Sequence, residues 1–257
     1  MNFLSDYSRL YDLFYKRKNY KTEARYIRRL IQKYSPGVRS LLELGCGTGK
    51  HASFLAGMGY QIHGVDKSTG MVRQAKKRRR EQNKSIASRL KFSEGDIRRI
   101  RLNQKFDAVI SLFHVMSYQI TDQSLKAAVR TARHHLKPNG IFIFDCWYGP
   151  AVLAQPPVVK LKRFENAQVK VTRLCRPRFY LHKHRVAVRY ELSIYDKKKQ
   201  TLKKFIETHR MRYLFKPEVE RLIQRNGFKL LNVQEWLTGK KPGPNAWSVC
   251  FVGRRNK

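Results

Sequence analysis

A glycine-rich segment is the first place in the chain where residue types and spacing allow chemistry. Glu43, Gly45, Gly47 and Gly49 fall within seven residues, between a short apolar run and a helical stretch. Glycines at such a turn let a ligand approach the backbone, because a Cβ would occupy the ligand's place. A dinucleotide fingerprint has the spacing GxGxxG, whereas this loop has GxGxG after an acidic residue. The pattern indicates a ligand without a pyrophosphate, whose cationic amino group uses Glu43 directly or through water.

Two further carboxylates follow later apolar runs. Asp66 stands 21 residues after Gly45, at a position where a carboxylate can accept hydrogen bonds from both hydroxyls of a ribose. Asp96 ends the next run and is placed to accept from an adenine amino group, with Met71 and Ile97 supplying apolar faces. The chain has only 18 acidic residues. Finding three of them at the ends of successive strands indicates a nucleoside site at that edge of a sheet.

These residues must be positioned by the alternation of short apolar runs and helical stretches in the first 150 residues. The predicted strands are 40–44, 61–65, 90–93, 106–112 and 140–147. Strands that alternate with helices are typical of a parallel, doubly wound sheet. Residues 7–34 have apolar positions at helical spacing and predict two helices, with Thr22 as a cap between them.

The sequence pattern changes after Pro150, where apolar and basic residues alternate with period two. Antiparallel strands are predicted at 158–164, 169–174, 186–195 and 203–213, followed by a helix at 217–225 and strands at 228–236 and 248–252. We therefore predict an α/β fold with a seven-stranded, mostly parallel sheet flanked by helices and an inserted antiparallel β layer. Residues 1–150 and 214–257 would form one domain, and 151–213 an insertion on the acceptor side or at a dimer contact.

The formal charge of +37 comes from 55 basic and 18 acidic residues. The positive electrostatic field of such a charge attracts phosphate-bearing partners, including nucleic acid and nucleotide-activated substrates. The basic residues occur in every segment without one concentrated patch. A composition bias of the source organism is therefore the alternative interpretation of the charge.

No apolar stretch approaches the roughly 20 residues that cross a bilayer, and the N-terminus lacks the apolar region of a signal peptide. The sequence therefore predicts a cytoplasmic protein with no membrane partner. Cys46, Cys146, Cys175 and Cys250 are widely separated and lack CxxC spacing. They indicate reduced thiols and no metal site.

The chain resembles the class I S-adenosylmethionine-dependent methyltransferases in four segments, in the family's order and spacing. The segments are LLELGCGTGKHASFLAGMGYQIHGVDKSTGMVRQA, GDI, FDAVISLFHVMSY and LKPNGIFIFDCWYGP. The resemblance is strong over residues 38–150 and implies a Rossmann-like sheet with S-adenosyl-L-methionine as cofactor. The cofactor contacts that it implies within this stretch are Glu43, Gly45, Cys46, Gly47, Asp66, Lys67, Met71, Gly95, Asp96, Ile97, Leu112 and Phe113.

By the same resemblance, Gly45 and Gly47 line the methionine moiety and Asp66 holds the ribose. Asp96 and Ile97 meet the adenine, while Leu112 and Phe113 contact the methionine end. Lys67 departs from the family, which usually has an apolar residue there.

A looser similarity connects the chain with N-methyltransferases that dimethylate nucleotide-linked amino sugars. In those enzymes a tyrosine-bearing N-terminal segment folds over the cofactor. Tyr11, Tyr15 and Tyr20 are therefore candidate lid residues, unless they only pack the helices together. The same enzymes carry a histidine close to the position of Tyr118, whereas His114 stands four residues earlier here.

Methyl transfer from a sulfonium requires the protein to align the reacting atoms and exclude water. An amine acceptor needs only to be unprotonated, whereas a hydroxyl needs a base. His114 and Tyr118 are the candidate catalytic residues, with His114 as the base and Tyr118 in the wall of the acceptor pocket. Either residue would otherwise be a packing residue.

Three functions are compatible with the sequence. The leading one is methylation of an N or O atom of a small molecule, whose phosphate or nucleotide would contact Arg173, Arg176 and Arg178. The competing one is methylation of RNA or DNA, although no Asp/Asn-Pro-Pro-Tyr tetrad or Pro-Cys nucleophile follows the fourth strand. A cofactor-binding regulator without an acceptor site is the third. The sequence does not decide whether the chain forms a homodimer.

Overall fold

The computed structural model describes residues 3–257, with side chains from residue 7 onward. Two helices open this part of the chain, α1 at Phe3–Phe14 and α2 at Tyr20–Tyr34. The cap of α2 is Asn19, whose side chain accepts a hydrogen bond from the Thr22 backbone N–H at 3.0 Å. The prediction of Thr22 as the cap was therefore wrong, because the short Asn19 side chain already reaches the free N–H groups of the first turn.

A seven-stranded sheet forms the centre of the molecule, with the strand order β10-β11-β5-β4-β1-β2-β3. Its strands are β1 Ser40–Leu44, β2 Gln61–Asp66, β3 Leu90–Glu94, β4 Phe106–Ser111, β5 Leu136–Trp147, β10 Phe228–Glu235 and β11 Ser248–Arg255. The first five strands pair in parallel, whereas β11 runs antiparallel to both β5 and β10. The predicted α/β fold is confirmed.

Helices cover both faces of this sheet. They include α3 Lys50–Gly57, α4 Thr69–Arg80, α5 Lys84–Ala87, α6 Asp122–His135, α7 Gly149–Ala154 and α8 Lys216–Arg225. Successive residues of β1 pack on opposite faces of the sheet. Leu41 packs with residues of α2 and α3, and Leu42 packs with residues of α6 and α8. Burial of both faces explains why the parallel strands have continuous apolar runs.

A second sheet of four antiparallel strands follows β5, in the order β6-β7-β8-β9. Its strands are β6 Lys160–Glu165, β7 Val169–Tyr180, β8 Arg185–Asp196 and β9 Thr201–Arg212. Its inner face, which includes the buried Val171 and Leu192, packs against Tyr7, Leu10 and Phe14 of α1. α1 therefore lies between the second sheet and α4. The proposed division into two domains stays a prediction.

Within residues 3–257, no helix is long and apolar enough to cross a bilayer. The same residues contain no group of three or more His, Cys, Asp or Glu side chains arranged to hold a metal ion. The four cysteines are free, and only Cys175 is partly exposed.

Candidate active site

The glycine loop between β1 and α3 lies at the carboxyl edge of the sheet. Gly45 and Gly47 adopt φ values of +78° and +54°, in the left-handed region that favours glycine. A Cβ on Gly45 would lie 2.5 Å from the Val115 side chain, whereas a Cβ on Gly47 would meet no described atom within 4 Å. The loop therefore packs on its Gly45 side and leaves open space at Gly47, where the predicted cofactor fits.

Asp66, the last residue of β2, is aimed by the same loop. Its Oδ2 accepts from the Gly47 N–H and its Oδ1 from the Ser68 N–H, both at 2.9 Å. Burial raises the pKa of Asp66, while the two N–H groups and the Lys67 charge oppose that shift. Each oxygen keeps a second lone pair, which fits the two hydroxyls of a ribose.

Glu43 lies in β1 and is almost completely buried. Its Oε1 lies 3.8 Å from His51 Nδ1, and its Oε2 has no hydrogen-bond partner among the described residues. Burial, followed by the nearby charge of Asp66, raises the pKa of Glu43 to about 8. A buried carboxyl group with a free oxygen fits the cationic amino group of a methionine moiety.

The raised pKa of Glu43 makes cofactor binding a proton-linked event. At pH 7 this carboxyl group is mostly protonated, and a cation beside it favours the ionised form. We expect S-adenosylmethionine binding at pH 7 to release most of one proton, measured by titration calorimetry in two buffers of different ionisation enthalpy. Glu43→Gln should abolish the release. Proton-neutral binding by the wild-type chain would contradict the role of Glu43.

A second carboxylate behind Glu43 was not found from the sequence. His51 Nε2 lies 2.6 Å from Glu23 Oε2, and Glu23 also pairs with Lys18. Burial raises the pKa of Glu23, but His51 and Lys18 outweigh it and bring the value to about 2. Glu23 belongs to α2, so His51 connects the N-terminal helices with the carboxyl group of Glu43.

The candidate lid helix α1 is also attached to the glycine loop. Asp12 accepts from the Thr48 hydroxyl at 2.9 Å and pairs with Arg78 of α4. Thr48 is one of the residues between the glycines. The end of α1 therefore lies over the predicted cofactor site.

The three candidate lid tyrosines separate into two groups. Tyr15 meets the Phe113 ring edge-on at 5.0 Å, and Tyr11 packs on Tyr15 at 4.8 Å. Tyr20 is buried and packs on His51 at 4.8 Å. Tyr11 and Tyr15 are thus placed over the loop that follows β4, whereas Tyr20 supports the site from behind.

The predicted adenine side contains an ion pair that the sequence did not indicate. Arg98 Nε lies 2.9 and 3.0 Å from the two oxygens of Asp96. This pairing with Arg98 lowers the pKa of Asp96. An adenine amino group would share the carboxylate with Arg98. Gly95, which precedes Asp96, packs against the Ile100 side chain.

The other predicted contacts differ in exposure. Ile97, Leu112 and Cys46 are buried in the cores. They would therefore offer a ligand mainly their backbone. Met71 is half-buried beside the residues of α1, and Lys67 is exposed.

His114 is held at the end of β4 by a residue that sequence reasoning missed. Asp145 of β5 is buried, accepts the His114 backbone N–H at 3.1 Å, and lies 2.8 Å from His114 Nδ1. Phe113 and His114 have φ values of +64° and +65°, so the loop is strained at this point. Nδ1 lies close to Asp145 but makes no hydrogen bond among the described residues. Nε2 lies on the opposite side of the ring, where it can act as a general base.

Tyr118 follows His114 by one short 3₁₀ turn, Val115–Tyr118. Its side chain is 42% exposed, yet burial first, and then neighbouring groups including Tyr15, raise the pKa of its hydroxyl well above the usual range. A side chain that is deep in the protein and still reached by solvent lines a cleft. Its Oη lies 2.7 Å from Nδ1 of His209, a β9 residue that was not predicted.

Comparison with known proteins agrees with this geometry. A family model described as a methyltransferase domain matches residues 41–140. The chain is 34% identical over 151 residues to dTDP-3-amino-3,4,6-trideoxy-alpha-D-glucopyranose N,N-dimethyltransferase of Streptomyces venezuelae, covering 58% of this chain and 60% of that enzyme. It is 27% identical over 232 residues to dTDP-3-amino-3,6-dideoxy-alpha-D-glucopyranose N,N-dimethyltransferase of Streptomyces fradiae, covering 88% and 86%. The crystal structure of an S-adenosylmethionine-dependent methyltransferase from Clostridium acetobutylicum superposes with a TM-score of 0.81 at 20% identity, over 100% of both chains.

The sheet order, the glycine loop and these matches together define a class I S-adenosylmethionine-dependent methyltransferase domain, and the family match places residues 41–140 in it. S-adenosylmethionine is its cofactor. Within the class, the chain is similar to the two Streptomyces enzymes named for N,N-dimethylation of dTDP-linked amino sugars. The alignment with the first of them spans three fifths of that relative's length.

Proposed function

We propose that this chain transfers methyl groups to the amine nitrogen of a small acceptor that carries phosphate, in the chemical class of the nucleotide-linked amino sugars. The observation that carries the proposal is Arg173, on the inner face of the second sheet. The residue is 7% exposed, and its Nε and Nη1 have no hydrogen-bond partner among the described residues. A buried cation without a partner is costly, so this group fits an anion that arrives with the acceptor.

Aromatic rings hold the Arg173 guanidinium in place. The rings of Phe14, Phe164 and Tyr190 lie 4.9 to 5.0 Å from it, on α1, β6 and β8. The charge of Arg173 also acts on His209, the partner of Tyr118. An acceptor that reaches Arg173 with its phosphate would therefore extend toward the side where Tyr118 and His114 lie.

The two other arginines suggested by the sequence differ from Arg173. Arg176 and Arg178 are exposed on the opposite face of β7, because alternate residues of a strand point to opposite faces. Arg176 also pairs with Glu191 at 3.3 Å. Of these three arginines, we therefore assign only Arg173 to the acceptor.

The chain's own residues would prepare the acceptor for in-line attack. When bound, S-adenosylmethionine supplies an electrophilic methyl group on a sulfonium. An acceptor amine reaches the site mostly as an ammonium ion, and His114 Nε2 takes its proton while the Asp145 carboxylate, 2.8 Å from Nδ1, stabilises the positive charge that the ring gains. α1 covers the site and excludes water, so that the free amine attacks the methyl carbon.

Arg173→Met tests the acceptor class, because methionine keeps the stem but removes the charge. We expect the KM for a nucleotide-linked amino sugar to rise about 10- to 100-fold, the effect of losing charge-assisted hydrogen bonds. The KM for the corresponding free amino sugar should stay within about twofold. Both are measured with a labelled methyl donor.

Arg176→Met is the matched control and should leave both KM values unchanged. An equal KM for the phosphorylated acceptor in wild type and Arg173→Met would refute the role of Arg173. Efficient methylation of RNA, with no turnover of amino sugars, would refute the proposed function itself.

A further inference from the structure

Three polar side chains form a line at the boundary between the two sheets. Tyr118 Oη lies 2.7 Å from His209 Nδ1, and His209 Nε2 lies 3.4 Å from Glu207 Oε1. Glu207 and His209 are two residues apart on β9, so both side chains are on the inner face of the second sheet. Tyr118 comes from the first sheet's loop after β4, and its exposed surface meets the cleft.

The surroundings determine where the protons of this line are. Burial, followed by the charges of Arg173 and Lys67, lowers the pKa of His209 to about 4, so the imidazole is neutral. Burial raises the pKa of Glu207 to about 7, so at pH 8 it is mostly a carboxylate, which only accepts hydrogen bonds. His209 Nε2 makes no hydrogen bond among the described residues, but the negative charge of Glu207, 3.4 Å away, favours the tautomer that carries the proton on Nε2. Its Nδ1 is then an acceptor, and Tyr118 donates to it.

We propose that His209 and Glu207 are positioning residues for the acceptor. They make Tyr118 donate its hydroxyl hydrogen bond to His209 Nδ1, so that Tyr118 presents only its oxygen lone pairs to the cleft. A hydroxyl oriented in this way accepts a hydrogen bond from an N–H of the acceptor amine, and it turns the nitrogen lone pair toward the methyl group. This inference rests on the proposed function, since it concerns an amine acceptor.

The positioning has a consequence for the products. Primary and secondary amines have an N–H that Tyr118 can hold, whereas a neutral tertiary amine has none. The line of side chains therefore favours one or two transfers to the same nitrogen. It disfavours a third transfer, which would give a quaternary ammonium ion.

A double-mutant cycle tests the role of the pair at pH 8. His209→Leu and Tyr118→Phe should each lower kcat for a primary amine about tenfold, with an unchanged KM for S-adenosylmethionine. The double variant should be no slower than either single variant, because the two residues act as one unit. His209→Asn should recover most of the rate, since its Oδ1 can replace Nδ1 as the acceptor. Thr208→Ala, on the exposed face of the same strand, is the control that should match wild type.

Additive losses in the cycle, or a wild-type rate in His209→Leu, would overturn the inference. A variant that unfolds is recognised by its circular dichroism spectrum. In that case His209→Asn and Tyr118→Phe alone decide, because both replacements are close in shape to the originals.

The imidazole tautomer gives a test that does not depend on turnover. In ¹⁵N-histidine NMR spectra of the full chain at pH 8, we expect the His209 signal, assigned by its absence in His209→Asn, to show the proton on Nε2. Tyr118→Phe should shift the Nδ1 resonance. A proton on Nδ1 would overturn the inference. A chain with the expected tautomer but no activity on any amine would refute the proposed function and leave the arrangement of the three side chains intact.

Discussion

Replacement of Asp66 by alanine should weaken S-adenosylmethionine binding by roughly 2 to 4 kcal/mol, or about 30- to 1000-fold in Kd. The effect is large because one side chain is expected to lose two hydrogen bonds to the ribose from a half-buried carboxylate. The same side chain fixes the glycine loop through the Gly47 N–H. Titration calorimetry with the wild type and the variant gives the change directly.

The control for this prediction is Asp196→Ala. Asp196 also accepts two backbone N–H groups, those of Lys198 and Lys199 at 3.0 Å, but it lies at the end of β8, beside the turn to β9. Losing such a turn contact should leave Kd unchanged. Equal affinity for S-adenosylmethionine in wild type and Asp66→Ala would refute the prediction that Asp66 binds the ribose.

Replacement of His114 by alanine should lower kcat about 10²-fold and leave the Kd of S-adenosylmethionine unchanged. The reason is that His114 Nε2 is the base proposed to take the proton from the acceptor, oriented by the Asp145 contact at 2.8 Å. Single-turnover rates with a labelled methyl donor measure the chemical step. Asp145→Asn should lower the same rate, because an amide no longer stabilises the protonated ring.

His182→Ala serves as the matched control, because His182 is exposed in the second sheet's loop. It should react at the wild-type rate. If His114→Ala also keeps that rate within about twofold, His114 is a packing residue and proton removal must occur in solvent.

The strands of the central sheet could be predicted closely because they are buried on both faces. The predicted bounds of β1, 40–44, are those of the structure. β5 instead begins at Leu136, four residues before the predicted start, where it pairs with Phe106. The intervening residues Lys137, Pro138 and the left-handed Asn139 are exposed. An exposed polar segment has no apolar periodicity, so its pairing is invisible in the sequence.

In the second sheet, too, an exposed strand end could not be predicted from the sequence. β7 continues to Tyr180, beyond the predicted end at residue 174. Arg176 and Arg178 are exposed there while still paired with β8. Their pairing depends on the partner strand and not on their own hydrophobicity.

The positions of the two carboxylates beside the glycine loop could be predicted from topology alone. Glu43 and Asp66 come at or near the ends of neighbouring parallel strands, and such ends meet at one edge of a sheet. That is why single-sequence reasoning could place both carboxylates beside the glycine loop.

The supporting partners could not be found in this way. Glu23 and His51 are 28 residues apart, His114 and Asp145 are 31 apart, and Tyr118 and His209 are 91 apart. Contacts at such separations are set by packing. Only Asp145, a charged residue inside the apolar run of β5, gave a signal in the sequence, because a buried carboxylate requires partners.

A crystal structure with S-adenosylhomocysteine at saturating concentration examines the cofactor assignment most directly. We expect the ribose hydroxyls on the two Asp66 oxygens, the homocysteine chain over Gly47 and its amino group beside Glu43. Clear density for the nucleoside elsewhere, or none at this edge of the sheet, would contradict the assignment.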